Sequence, residues 1–218
     1  MPSRASIQEK VSRGFRIAGA KLGAPCQWYR AAGTGAAIAP ATLQGTLLAA
    51  FDSDPAFASR KPSQYGKPQW YMLTDECGLQ LGDYIVDPLL GTFFVASGEP
   101  FKPPMVIRCN RTLTFARPGA PPAGADYYGG DETATETPLL TGWPAAVLQG
   151  TKGEAGDTKL PGDTRMPWVQ VLLPQPASVQ LRASDIALDD QPIQQRYIVS
   201  SAELTALGYR LTATLALT

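Results

Sequence analysis

The chain has 218 residues with 19 basic and 19 acidic side chains, so its formal net charge is zero. That balance argues against a molecule that binds nucleic acid or a membrane surface through its overall charge. There is no histidine, which removes Ser-His-Asp and Cys-His triads, most zinc sites and the usual neutral-pH general base.

The 21 glycines and 20 prolines suit many short strands with frequent turns, and a hydrophobic content of 44% supplies a packed core. No stretch approaches the ~20 apolar residues of a membrane span. The early charges and missing apolar region argue against a secretory signal. Cys26, Cys77 and Cys109 are odd in number, widely spaced and without a CxxC neighbour. They read as reduced thiols of a cytoplasmic product, with a Cys77–Cys109 bridge as the alternative.

The first element is predicted as an amphipathic helix within residues 1–25. Ser6-Ile7-Gln8-Glu9 fits a capping box. Ile7, Val11, Phe15, Ala18 and Leu22 share one face at helical spacing, and Gly23 and Pro25 end the helix. The other face carries Lys10, Arg13, Arg16 and Lys21. With Arg4 and Arg30, these make six cations against the single acid Glu9 before residue 50. The neutral chain is therefore polarised, with a basic start and an acidic remainder. A cationic helix face either meets an acidic partner surface or nucleic acid, or is simply solvated.

A first β unit is expected over 26–116. Cys26–Ala31 reads as a short strand, 32–40 as a loop and Thr42–Phe51 as a strand, with a helix as the alternative. Residues 52–67 form a long surface excursion. Gln69–Leu73, Asp83–Val86 and Thr92–Ser97 follow as strands, and Val106–Phe115 as one alternating strand. Arg117–Gly130 holds three prolines and four glycines. With the acidic stretch Asp131–Glu136 it is predicted as an interdomain linker over 117–136. A second β unit over 137–218 contains Gly142–Leu148, Met166–Leu173, Ile193–Ser200 and Tyr209–Leu217, with a long Gly150–Asp163 loop. The expected fold is mainly β: two small barrel or sandwich units in tandem, preceded by one helix.

A pattern recurs between the units. Trp70, Leu81-Gly82-Asp83-Tyr84-Ile85-Val86-Asp87 and Thr92–Ser97 answer to Trp168, Ala183-Ser184-Asp185-Ile186-Ala187-Leu188-Asp189 and Arg196–Ser201. The two aspartate pairs admit acid/base or calcium roles. Their places at the ends of short strands favour building turns through nearby amides. Trp70, Trp143 and Trp168 are expected to anchor the core. Gly150-Thr151-Lys152-Gly153 lacks the full phosphate-loop pattern and a following helix. No catalytic set, cofactor motif or metal cluster is expected.

Leu81-Gly82-Asp83-Tyr84-Ile85, Arg196-Tyr197-Ile198-Val199 and the closing alternating strand resemble the small β-barrels of tailed-bacteriophage head–tail joining proteins. Phe51-Asp52-Ser53-Asp54, Lys67-Pro68-Gln69-Trp70 and Gly142-Trp143-Pro144-Ala145 also look like proteins from phages of Gram-negative bacteria. The resemblance covers roughly residues 65–115 and 140–218. Joining proteins with a single barrel have one such unit, whereas this chain has two and a basic helix. The resemblance implies a non-enzymatic virion component, assembled in the host bacterial cytoplasm. It would form a homo-oligomeric ring around the DNA channel and contact portal, adaptor or tail-tube subunits. Channel DNA would be met without sequence specificity and no membrane would be involved. Alternatives are a carbohydrate- or receptor-binding β module, a tail-tube or tail-tip component, and a carboxylate-based hydrolase of cell-wall glycan.

Overall fold

Helix α1 (Arg4–Leu22) opens the chain in the computed structural model, which describes residues 3–54, 67–119, 136–150, 168–176 and 178–216. Its N-cap is Ser3, whose hydroxyl accepts from the Ser6 amide at 3.3 Å. The helix thus starts one turn before the predicted Ser6–Glu9 box, because Ser3 already satisfies the free amide. Gly23 ends it as predicted, donating its N–H to Gly19 O at 2.8 Å, but in an extended rather than left-handed conformation.

Two glycines bring the helix onto the sheet. A Cβ on Gly19 would lie 2.4 Å from the Thr74 backbone, and one on Gly23 would lie 2.6 Å from the Ala49 nitrogen. Val11, Phe15 and Ala18 are half-buried around this crossing. Ile7 and Leu22, expected on the same buried face, are 43% and 67% exposed. Ile7 lies about 18 Å up the helix from the Gly19 crossing at 1.5 Å per residue, whereas Leu22 is exposed although it sits between the two glycines of the crossing. Gly19→Ala is therefore expected to lift α1 off the barrel and cost about 1–3 kcal/mol. A lowered thermal midpoint, with faster proteolysis near residue 23, would be the readout.

Six strands follow: β1 (Ala24–Tyr29), β2 (Leu43–Asp52), β3 (Gln69–Thr74), β4 (Tyr84–Asp87), β5 (Gly91–Ser97) and β6 (Met105–Arg108). A second six comprise β7 (Arg111–Arg117), β8 (Thr137–Gln149), β9 (Trp168–Leu173), β10 (Ile186–Asp189), β11 (Arg196–Thr205) and β12 (Gly208–Leu215). The first set closes in the order β1-β2-β3-β6-β5-β4, the second in the order β7-β8-β9-β12-β11-β10. Counted from each barrel's first strand, the two orders are the same. Closure leaves neither sheet with an open edge to protect. The expected fold, two β-barrels in tandem behind one helix, is the fold of the chain.

Register extends the equivalence to single residues. In the first barrel Cys26, Leu47, Met72, Ile85, Phe93 and Val106 fill the interior. The paired strands place Leu113, Trp143, Val171, Ala187, Tyr197 and Ala213 at the matching positions of the second. A large residue in one barrel often faces a small one in the other, so total volume is redistributed rather than copied. Both barrels also carry a bulge at the same place, between Val95 and Ser97 and between Val199 and Ser201.

Three sequence expectations change. The single strand expected over Val106–Phe115 is two, β6 and β7, which belong to different barrels. The break is sharp: Cys109 donates its amide to Thr92 O of the first barrel, and Asn110 donates to Ala145 O of the second. Alternation alone cannot reveal that a strand has changed sheets. It follows that the junction lies at 109–110, not in the predicted 117–136 linker. That segment joins β7 to β8 inside the second barrel, and Pro/Gly-rich composition marks any long connection. Finally, the partner of Trp70 is Val169 rather than Trp168, one register step away, so Trp70 packs inward while Trp168 does not. Residues 55–66 of the predicted surface excursion, 120–135 of the predicted linker and 151–163 of the predicted long loop lie outside the described residues, as does Leu217.

Candidate functional site

The repeated aspartates are buried, and the first of each pair has both of its carboxylate oxygens hydrogen-bonded. Asp83 accepts from Arg30 Nε at Oδ1 (2.8 Å) and from Arg30 Nη2 at Oδ2 (2.8 Å). Its Oδ2 also takes the Gln80 amide at 2.8 Å and the Trp28 indole N–H at 2.9 Å. Asp185 is held the same way by Arg117 Nε (2.8 Å), Arg117 Nη2 (3.0 Å) and the Arg182 amide (2.8 Å). Each arginine also donates to a loop carbonyl, Arg30 to Gly78 at 2.8 Å and Arg117 to Gln180 at 2.9 Å. The residue before each aspartate has a positive φ, 88° at Gly82 and 72° at Ser184. That conformation aims the Gly82 and Ser184 amides at Val95 O and Val199 O, both at 2.8 Å. Gly82 adopts that conformation without the penalty of a Cβ, whereas Ser184 carries it.

The second aspartate of each pair builds the next turn. Asp87 Oδ1 accepts from Leu89 and Leu90 amides at 2.8 and 2.7 Å, and Asp189 Oδ1 from the Gln195 amide at 2.8 Å. Asp87 Oδ2 takes the Cys26 thiol at 3.5 Å. In the second barrel Leu113 replaces that thiol, and Asp189 Oδ2 faces Arg111 Nε at 3.8 Å without a hydrogen bond. The turn-building role expected of the four aspartates is what these contacts describe. Their arginine partners escaped the sequence reading because they lie 53 and 68 residues away.

All three cysteines are free thiols. Burial, with help from Asp87, pushes Cys26 up to about 12, whereas Cys77 is exposed. Native-state alkylation near neutral pH should therefore modify Cys77 and spare Cys26 until the barrel unfolds, and mass mapping of the labelled peptides checks it. Among the described residues, no group of three or more His, Cys, Asp or Glu side chains is placed to hold a metal ion. No helix among them is long and apolar enough to cross a membrane.

The barrels meet through different faces. From the first come the β1–β2 connection and the outer side of β4 and β5; from the second, the middle of β8. Tyr84 is fully buried and donates its hydroxyl to Pro144 O at 2.9 Å, with its ring edge-on to Trp143 at 6.2 Å. The Trp143 indole donates to Gly35 O at 2.9 Å, and Thr141 N to Thr34 O at 2.9 Å. Asn110 pins the junction by using its side-chain amide as a strand residue would, accepting from Val147 N at 2.8 Å and donating to Val147 O at 2.9 Å.

The candidate interface cations Lys10, Arg13, Arg16 and Lys21 are all exposed on α1, and none forms an ion pair with a described residue. Lys10, Arg13 and Lys21 surround Ile17, 50% exposed, on the side turned away from the barrel. Arg16 departs from this set and lines a groove of about 390 Å³ beside the Glu76–Cys77 and Glu99–Lys102 loops. Comparison with family models, curated proteins and solved structures found no match.

Proposed function

We propose that this chain is a non-enzymatic structural protein of a tailed phage virion, one subunit of a ring-shaped head–tail connector around the DNA channel. One observation carries the reading: two barrels of identical topology joined through non-equivalent faces. A contact of that kind between like units is heterologous, and heterologous contacts generate rings when the rotation closes. Closed barrels supply rigid bodies, and the buried Arg–Asp clamps stiffen the loop at the same corner of each. A net-neutral chain suits a channel through which DNA must slide without being gripped. The exposed cations of α1 offer a docking surface for acidic subunits of the portal, adaptor or tail tube.

Electron microscopy of the purified protein, alone and mixed with portal protein, tests the reading. Closed rings, or rings seated coaxially on the portal, are expected. A strict monomer that leaves the portal bare and binds a glycan array would overturn it in favour of a carbohydrate-binding module.

A further inference from the structure

The two barrels fill one end of their interiors differently, and the repeat makes the difference readable. In the first barrel, Phe51, Trp70 and Phe93 pack together at the end where β2 finishes and β3 begins. Phe51 lies flat on Phe93, with ring centroids 4.2 Å apart and 9° between planes, and Trp70 meets Phe93 edge-on at 6.0 Å. Register places Val147, Val169 and Tyr197 at the matching positions of the second barrel. Phe93 is thus answered by another aromatic side chain, while the two rings packed against it are answered by valines. Where the first barrel holds those rings, the second has a cavity of about 290 Å³, lined by Val147, Val169 and Tyr197 with Arg111, Gln195 and Leu215.

The lining has a definite chemistry. Val147, Val169 and Leu215 are half-buried and supply apolar walls. The Tyr197 hydroxyl donates to Gln195 Oε1, so its polar tip is occupied and its ring remains as wall. Arg111 is the one charged residue among the described residues of the lining, and its match in the first barrel is Ala24. It donates from Nη1 to Asn110 O at 3.1 Å, while its Nε stands 3.8 Å from Asp189 Oδ2. Asp189 is 2% exposed, and that oxygen has no hydrogen-bond partner. The pair is held by charge without a hydrogen bond. That balances the cavity electrically and leaves guanidinium N–H groups for an acceptor.

We propose that this mouth of the second barrel binds a small neutral aromatic compound carrying a carbonyl or amide group. Its ring takes the place that Phe51 holds in the first barrel, flat against Tyr197 and beside the two valines. Its carbonyl oxygen accepts from Arg111. Size agrees, since a cavity of about 150 Å³ suffices for benzene and about 290 Å³ holds one substituted ring. Neutrality follows from the Arg111–Asp189 pair. An anionic ligand would have to share Arg111 with a buried carboxylate, and a cationic one would meet Arg111 itself. The inference stands on the second barrel alone and does not use the connector role proposed above.

Benzamide is the probe, titrated into the full chain while the methyl resonances of Val147, Val169 and Leu215 are followed by nuclear magnetic resonance. Leu47 and Met72 of the first barrel serve as references. Saturable shifts confined to the first group are expected, with a Kd of about 1 mM, the ordinary reach of so small a ligand. Benzoate should bind at least about tenfold more weakly, because it competes with Asp189 for one cation. Val147→Phe, alone and together with Val169→Trp, gives the second barrel the rings of the first. In both variants the Leu215 shift should disappear, while a thermal midpoint at or above that of wild type shows that they fold. Absence of a saturable shift in the wild type overturns the proposal, as does binding that survives in the filled variants. Benzoate binding as tightly as benzamide overturns the neutral class. The two wild-type titrations decide the matter whether or not either variant folds.

Discussion

Replacing Arg117 by alanine is expected to destabilise the fold by about 2–4 kcal/mol, the range for stripping a partner from a buried carboxylate when the lost cation is itself partly exposed. The Asp185 side chain is only 1% exposed, while that of Arg117 is 27% exposed. Water can replace some of the lost hydrogen bonds from the outer side, which sets the figure below that of a wholly buried pair. Arg117→Lys should recover little. An ammonium cannot span both carboxylate oxygens and reach the Gln180 carbonyl at the same time. The informative comparison is Arg30→Ala, because the same clamp stands in the first barrel, with side-chain exposures of 32% and 1%. The two losses should agree within about 1 kcal/mol, the scale of context dependence for such a pair. Denaturant midpoints of the two variants supply the measurement. A loss below about 0.5 kcal/mol in both, the level of an ordinary surface substitution, would mean that the clamps do not hold the barrels together.

Trp143→Ala is expected to cost about 3–5 kcal/mol, the range for deleting a large aromatic side chain from a packed interior. Its effect reaches beyond the second barrel. The indole N–H that holds Gly35 O disappears, and the Tyr84 ring loses its neighbour. The consequence should be visible across the junction, where the Thr141 amide is bonded to Thr34 O at 2.9 Å. Hydrogen exchange at Thr141 and Ala37 should quicken more than at Val171, which lies inside the second barrel away from the contact. Equal acceleration at all three would show a general loosening instead. Tyr84→Phe isolates the polar part of the contact, leaving Pro144 O without its donor at a cost of about 1–2 kcal/mol.

Tyr84 also gives the contact a pH dependence. Burial pushes its hydroxyl well above the ordinary value of 10.0. Folding thus favours the neutral form, so this contribution is intact below the unfolded value and is lost as pH rises through the folded one. The alkaline part of the stability profile should be flatter in Tyr84→Phe than in wild type.

Much of this fold was legible in the sequence. Glycine and proline density, Asp-marked turns and alternating strands predict two β units, and the Asp83/Asp185 pattern identifies their correspondence. The core does not repeat in sequence because equivalent positions exchange volume, as Leu47 with Trp143 and Ile85 with Ala187. The same exchange makes Trp168 resemble Trp70 although Val169 takes its place. The boundary was hidden because Cys109 and Asn110 switch barrels without breaking alternation, while the Pro-rich stretch that looks like a linker lies within one barrel. For the candidate interface, the four cations of α1 were visible by spacing alone. Arg30 and Arg117 were not, since their importance depends on carboxylates brought near by barrel closure. Nor could periodicity show that Arg16 turns into a groove while Lys10, Arg13 and Lys21 face outward.

The most direct test of the central claim is the mass of the purified chain in solution under native conditions. The account predicts a single closed species at an integral multiple of the 23.2 kDa chain, unchanged on dilution through the micromolar range. A species that remains at 23.2 kDa at every concentration, with portal protein present as well as absent, or one that grows without limit into open filaments, would contradict it.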